Sequence, residues 1–246
     1  MTEPRLYLER PFDFENETEV VAAKSKKGSF RVTTNCSLME PENPEGGDAG
    51  EILGTNGVVR VERVTWDGNL RNQVHLGTLE GQLIPGDRVT VRVDRARRRR
   101  NGVYHTVSHL LTSVAREQWA TDMIGKLQLS PEDGTLILLG QGDHLDHAAA
   151  LEYAASQYLA ADRPVSVTFL DADQAVARCG TFFQGVVPSS IRRWRVVELD
   201  GTPFPPIPCG GVHVDNLNKV TNLKITAIVR VGDDLNIGYT CQYADA

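Results

Sequence analysis

The sequence predicts an α+β fold, with a strand-rich first part and a second part in which helices and a sheet are segregated. Three observations predict it. Residues 1–93 hold short β-branched runs separated by turn residues. Composition then changes at Asp94, where Arg95 and Arg97 to Arg100 crowd together. Beyond that point, segments of helical period and segments of strand period both occur.

The strand runs are residues 18–23 (TEVVAA), 29–33 (SFRVT), 57–64 (GVVRVERV), 73–79 (QVHLGTL) and 88–93 (RVTVRV). All show partial alternation, and Pro85-Gly86-Asp87 turns the chain into the last of them. Several short strands with turns between them make a small barrel or sandwich. Residues 40–50 (EPENPEGGDAG) are a loop, since Pro and Gly oppose a regular strand. After the arginines, Val107, Leu110, Leu111 and Val114 recur at intervals of three and four, which predicts an amphipathic helix over 104–119. A second helix is expected at 147–159 and a short one at 172–177. Strands are expected at 165–170 and 194–199, with a terminal hairpin over 220–243 turning at Gly232-Asp233-Asp234.

The 246 residues are 41% hydrophobic and 24% charged, which suits a folded chain with substantial cores. The formal net charge of -6 argues against a protein that coats DNA, yet permits contact with one end of an RNA through a local basic patch. The first residues lack the basic start and apolar core of a secretory signal, and no apolar run approaches the roughly 20 residues of a membrane span. Cys36, Cys179, Cys209 and Cys241 are too few and scattered for a secreted disulfide framework. A cytoplasmic protein with reduced cysteines is the expectation, with no membrane partner.

His105 and His109 lie four apart in the best helical segment, so both imidazoles share one face. Far downstream, Cys209-Gly210-Gly211-Val212-His213 places a thiol and an imidazole four apart in a glycine-bearing loop. Either pair alone is as readily a chance surface pair or a buried thiol. Together they form a three-His, one-Cys set of the kind tetrahedral zinc favours.

HTVSHLL (105–111) with CGGVHV (209–214) resembles the editing domain of alanyl-tRNA synthetases, and most of all its free-standing trans-editing relatives, the AlaX family. DRARR (94–98), WRVVE (194–198) and PEGG (44–47) extend the resemblance. It implies a small β-barrel domain, residues 1–93, followed by an α+β zinc-binding editing domain, residues 94–246. It implies hydrolysis of the ester that joins a wrong amino acid to tRNA, with Zn2+ on His105, His109, Cys209 and His213. Ser or Gly on alanine tRNA is the family's default substrate. The departures bear on selectivity. Asp48-Ala49-Gly50 stands where the family continues with Gly-Gln, Val212 stands for Thr, and Val103 for Arg. A deacylase for an unusual β-hydroxy amino acid, such as fluorothreonine on threonine tRNA, is therefore an alternative.

Ester hydrolysis needs a positioned water and stabilisation of the oxyanion. A zinc with four protein ligands must expand its coordination, release a ligand, or hold the substrate's amine or carbonyl. Thr106 and Ser108 could orient water or bond helix carbonyls. The Gly210 and Gly211 N–H groups are candidate oxyanion donors, and Val212 offers an apolar wall. Arg97, Arg98, Arg99 and Arg100, with Arg192, Arg193 and Arg195, are candidate phosphate ligands at the acceptor end of tRNA. Gly46 and Gly47 are candidate substrate-loop residues. Phe182 and Phe183 line a pocket or pack in a core. His144 and His147 are read as a surface helix cap, and His75 as structural. One rival, a zinc peptidase or amidohydrolase, lacks support because HTVSH has no Glu general base. The other is an RNA-binding module with a structural zinc.

Overall fold

A computed structural model describes residues 5–26, 28–44, 46–68, 72–119, 125–141, 144, 147–180, 193–203 and 205–244. The chain divides into two compact units, Met1–Asn101 and Gly102–Ala246.

The first unit opens with a single helical turn, α1 (Leu6–Glu9). Six strands follow: β1 (Glu15–Lys26), β2 (Ser29–Thr34), β3 (Gly50–Gly54), β4 (Gly57–Trp66), β5 (Gln73–Gly81) and β6 (Arg88–Val93). They close a barrel in the order β1-β2-β5-β4-β3-β6, with every pair antiparallel. Alternation points Val89, Val91 and Val93 of β6 inward, onto Val20, Val32, Ile52, Val59 and Val61. Bulges at Val20/Ala22 in β1 and Val61/Arg63 in β4 add the bend that closure requires. At the second of these the strands approach so closely that a Cβ on Gly77 would stand 1.8 Å from the Arg60 carbonyl oxygen. β3 is the strand that the sequence pattern misses. It has five residues, with glycine at both ends.

The helix α2 (Arg95–Trp119) is 25 residues long and begins at the arginine run, not at residue 104. Asp94 starts it, its Oδ1 accepting from the Arg97 N–H at 3.1 Å. Arginine is itself a good helix former, so the basic run continues the helix. The division between the units falls inside α2, between Asn101 and Gly102.

The second unit is built around the rest of α2. The expected amphipathic helix is instead buried on nearly all sides. Val103, Val107, Leu110, Leu111 and Val114 are fully buried, and Thr106, Ser108, Thr112 and Ser113 are buried as well. Three of those hydroxyls bond carbonyls of their own helix: Thr106 to Gly102, Ser108 to His105 and Thr112 to Ser108, at 2.7–2.8 Å. A short polar side chain can thus occupy an enclosed helix without an unmet hydrogen bond.

Next come β7 (Gly125–Leu129) and β8 (Gly134–Leu138), a hairpin outside the sequence expectation. α3 (Ala148–Leu159), β9 (Val165–Leu170), α4 (Ala172–Cys179), β10 (Trp194–Leu199), β11 (Ile207–Pro208), β12 (Val220–Val231) and β13 (Asp234–Tyr243) complete the chain. A four-stranded sheet runs β12-β13-β8-β7 and a three-stranded one runs β11-β10-β9. Asp171 and Gln174 form a capping box at the start of α4. Glu152 of α3 accepts from the Ile225 N–H (2.8 Å) and pairs with Lys224, which docks that helix on β12. Among the described residues no helix is long and apolar enough to cross a membrane.

Candidate metal centre

One turn of α2 separates His105 from His109, and β11 ends immediately before Cys209. The antiparallel pairing of β11 with β10 (Val196 opposite Pro208) aims the following loop at the helix. Four ligand atoms, from His105, His109, Cys209 and His213, lie within 4.8 Å of one another. Cys209 Sγ stands 3.4 Å from His105 Nε2, 3.8 Å from His109 Nε2 and 3.3 Å from His213 Nε2. Zinc bonds of about 2.0–2.1 Å to nitrogen and 2.3 Å to sulfur, at a tetrahedral angle, would set sulfur and nitrogen about 3.5 Å apart. The donor set fits such a cation in both identity and spacing.

The electrostatics agree. Burial of the sulfur opposes a thiolate, but the imidazoles of His105, His213 and His109 outweigh it and hold the Cys209 thiol well below its ordinary value. Burial, reinforced by His105, pushes His213 well below the usual histidine value and so keeps its ring neutral. A thiolate and a neutral imidazole are the forms that ligate metal.

Two glycines shape the loop unequally. A Cβ on Gly211 would lie 2.1 Å from His105 Cε1, whereas at Gly210 it would meet nothing within 4 Å. Val212 is buried, 3% exposed.

Arg195 corrects a sequence expectation. Its side chain is buried, and Nη1 donates to the carbonyls of Cys209 (3.0 Å) and Gly211 (2.9 Å), while the Cys209 N–H donates to the Arg195 carbonyl (3.0 Å). It braces the ligand loop rather than facing a phosphate. Arg98 is likewise not a phosphate ligand. Only 2% exposed, it forms a buried ion pair with Asp48 and donates to the carbonyls of Pro11 (2.9 Å) and Leu38 (2.6 Å). Asp48 is the partner that sequence reading missed, since a carboxylate fifty residues away in a loop carries no local signal. Arg97 is exposed, with Nε donating to the Gly47 carbonyl (2.8 Å), which Asn101 also reaches (3.0 Å). Gly46 and Gly47 have φ of 129° and 155°, and a Cβ on Gly47 would stand 2.7 Å from Glu42 Cα. Within the first unit the glycine loop is thus held against the start of α2.

Thr106 is fully buried with its hydroxyl engaged by protein atoms, so it does not orient a substrate water. Arg193 lies over the Phe169 ring at 4.9 Å. Arg192, Phe182 and Phe183 lie outside the described residues. His147 precedes α3 without making a side-chain cap. Instead His144 stacks on Trp119 (4.1 Å between centroids), and His147 meets the same indole edge-on. His75 is structural, as expected. It is fully buried between Ser37 Oγ (2.8 Å) and the Val32 carbonyl (3.2 Å), and burial lowers its pKa to about 4.

No family model matches the chain. It is 22% identical over 240 residues to "Alanyl-tRNA editing protein AlaX-M" of Methanosarcina barkeri, covering 94% of this chain and 95% of that one. It is 24% identical over 244 residues to "Alanyl-tRNA editing protein AlaX-L" of Pyrococcus horikoshii, covering 97% of this chain and 58% of that one. The alanine–tRNA ligase of Methanothrix thermoacetophila is 29% identical over 234 residues, 93% of this chain and 24% of the ligase. The chain thus spans about a quarter of the length of the first ligases it matches. Over most of its length this chain is similar to AlaX alanyl-tRNA editing proteins and to a region of alanine–tRNA ligase.

Proposed function

We propose that this chain is a zinc-dependent aminoacyl-tRNA deacylase, a cytoplasmic hydrolase that acts in trans on mischarged tRNA, with Ser or Gly on alanine tRNA as its substrate class. The convergence of His105, His109, Cys209 and His213 within 4.8 Å carries the reading. Near end-to-end similarity to an alanyl-tRNA editing protein supports it. Residues 94–246 would be the editing domain and residues 1–93 a barrel domain.

Those four side chains would hold the zinc, which when bound supplies a Lewis acid able to polarise the ester carbonyl. The chain's own groups do the rest. Gly210 is exposed with open space around it, so its N–H suits an oxyanion, with the Gly211 N–H as the second donor. Val212, buried within the ligand loop, would be its apolar wall. A methylene's worth of fit at such a wall discriminates by about 1–3 kcal/mol. Of the candidate arginines, exposed Arg97 would be a phosphate ligand, with Gly46 and Gly47 in the substrate loop.

The test is deacylation of alanine tRNA charged with Ser, Gly or Ala, and of threonine tRNA charged with Thr or fluorothreonine, with and without chelator. Release of Ser and Gly, sparing of Ala, and loss on chelation are expected. Release confined to fluorothreonine would assign the specialised activity instead. RNA binding with no release from any substrate would leave a binding module with a structural zinc.

A further inference from the structure

Thr106 lies on α2 directly after the first histidine of the cluster, and it is fully buried. Its Oγ1 has three neighbours: the Gly102 carbonyl oxygen at 2.8 Å, the Val214 N–H at 3.2 Å and His213 Nδ1 at 3.2 Å. A hydroxyl has one proton to give and two lone pairs to receive with. The Gly102 carbonyl can only accept and the Val214 amide can only donate. The one hydroxyl proton therefore goes to Gly102, and one lone pair takes the Val214 N–H. What remains toward His213 is a lone pair, so Nδ1 must bring the proton. Nε2 is then left bare, and Nε2 is the atom that faces Cys209 Sγ at 3.3 Å.

We propose that Thr106 is a positioning residue that fixes the His213 ring as its Nδ1–H tautomer and so presents Nε2 to the cation. The proposal deepens the deacylase reading and rests on its metal site. It also gives Val214 a part, since the same hydroxyl fixes the backbone just past the ligand and so the exit of the loop. Partners of this kind around metal ligands change affinity by about 10–100-fold when removed.

The experiment is zinc affinity of the full chain by competition with a chromogenic chelator, for wild type, Thr106→Val and Thr106→Ser. Valine keeps the volume and removes the hydroxyl; serine keeps the hydroxyl. Thr106→Val should bind zinc about 10–100-fold more weakly, and Thr106→Ser should recover most of the loss. Thr112→Val is the matched comparison. Thr112 is also buried and donates to a carbonyl of its own helix, that of Ser108 at 2.7 Å. It should bind zinc as wild type does. Equal affinity in Thr106→Val and wild type would overturn the proposal. If Thr106→Val does not fold, nitrogen-resolved NMR of zinc-loaded wild type decides, since the His213 Nδ1 proton should exchange slowly with solvent. Exchange at the rate of a free imidazole, or zinc on Nδ1, overturns it. A wild-type chain that takes up no zinc defeats the deacylase reading itself, whereas undiminished binding by Thr106→Val defeats only this inference.

Discussion

His75 is fully buried on β5 with both ring nitrogens engaged, and burial lowers its pKa to about 4 from the ordinary 6.5. As pH falls, the unfolded chain takes up this proton first. The stability that His75 contributes is complete above about 6.5 and is lost progressively as pH falls toward 4, amounting to about 3 kcal/mol. Urea denaturation across that window should show His75→Gln less pH-dependent than wild type; parallel curves would refute it. At the metal centre, Cys209→Ser and His109→Ala should each lose most bound zinc while keeping a folded chain, as read by elemental analysis beside circular dichroism. The cluster of His105, His109, Cys209 and His213 was legible in the sequence because a helical i,i+4 pair and a short glycine-bearing loop fix local geometry. Arg98 and Arg195 were not, because sequence reports a charge without its direction. Both guanidiniums turn inward, onto Asp48 and onto the Cys209 and Gly211 carbonyls.

In the ligand loop the two glycines are not equivalent. Gly211→Ala drives a methyl into the His105 ring, 2.1 Å from Cε1, and should abolish both zinc uptake and deacylation. Gly210→Ala meets nothing within 4 Å and should keep its zinc. Equal metal content in the two variants would contradict this account of the loop. At the other end of α2, Asp48→Ala would strand a buried Arg98 without its carboxylate, a loss of about 3–5 kcal/mol by urea denaturation. A change under about 1 kcal/mol would mean that water reaches the guanidinium. The length of α2 shows why helix ends are hard to read. Its apolar period fades before Tyr104, yet the Asp94 cap and the arginines carry the helix nine residues further, from Arg95. Its apparent polar face was equally misleading, because Thr106, Ser108 and Thr112 satisfy themselves on their own backbone.

For the molecule as a whole, the two units keep separate apolar cores, one around Val32, Ile52 and Val59, the other around Leu110, Leu136 and Ile237. Chelator should therefore accelerate amide exchange in α2 beyond Gly102 and in the strands of the second unit, while leaving Ile52 and Val59 protected. Uniform acceleration would show that the units lose structure together. The α+β class and the β12–β13 hairpin were legible from alternation and the turn at Gly232-Asp233. The strands β3, β7 and β8 were not, since each has five residues, too few for a period to stand out. Finally, 104 residues separate His105 from Cys209. At a synthesis rate of about 5–20 residues per second, His105 is made on the order of 5–20 s before the thiol. Cation capture is thus a late event in the birth of each molecule, and a chain released early, short of Cys209, carries the histidines but no complete cage.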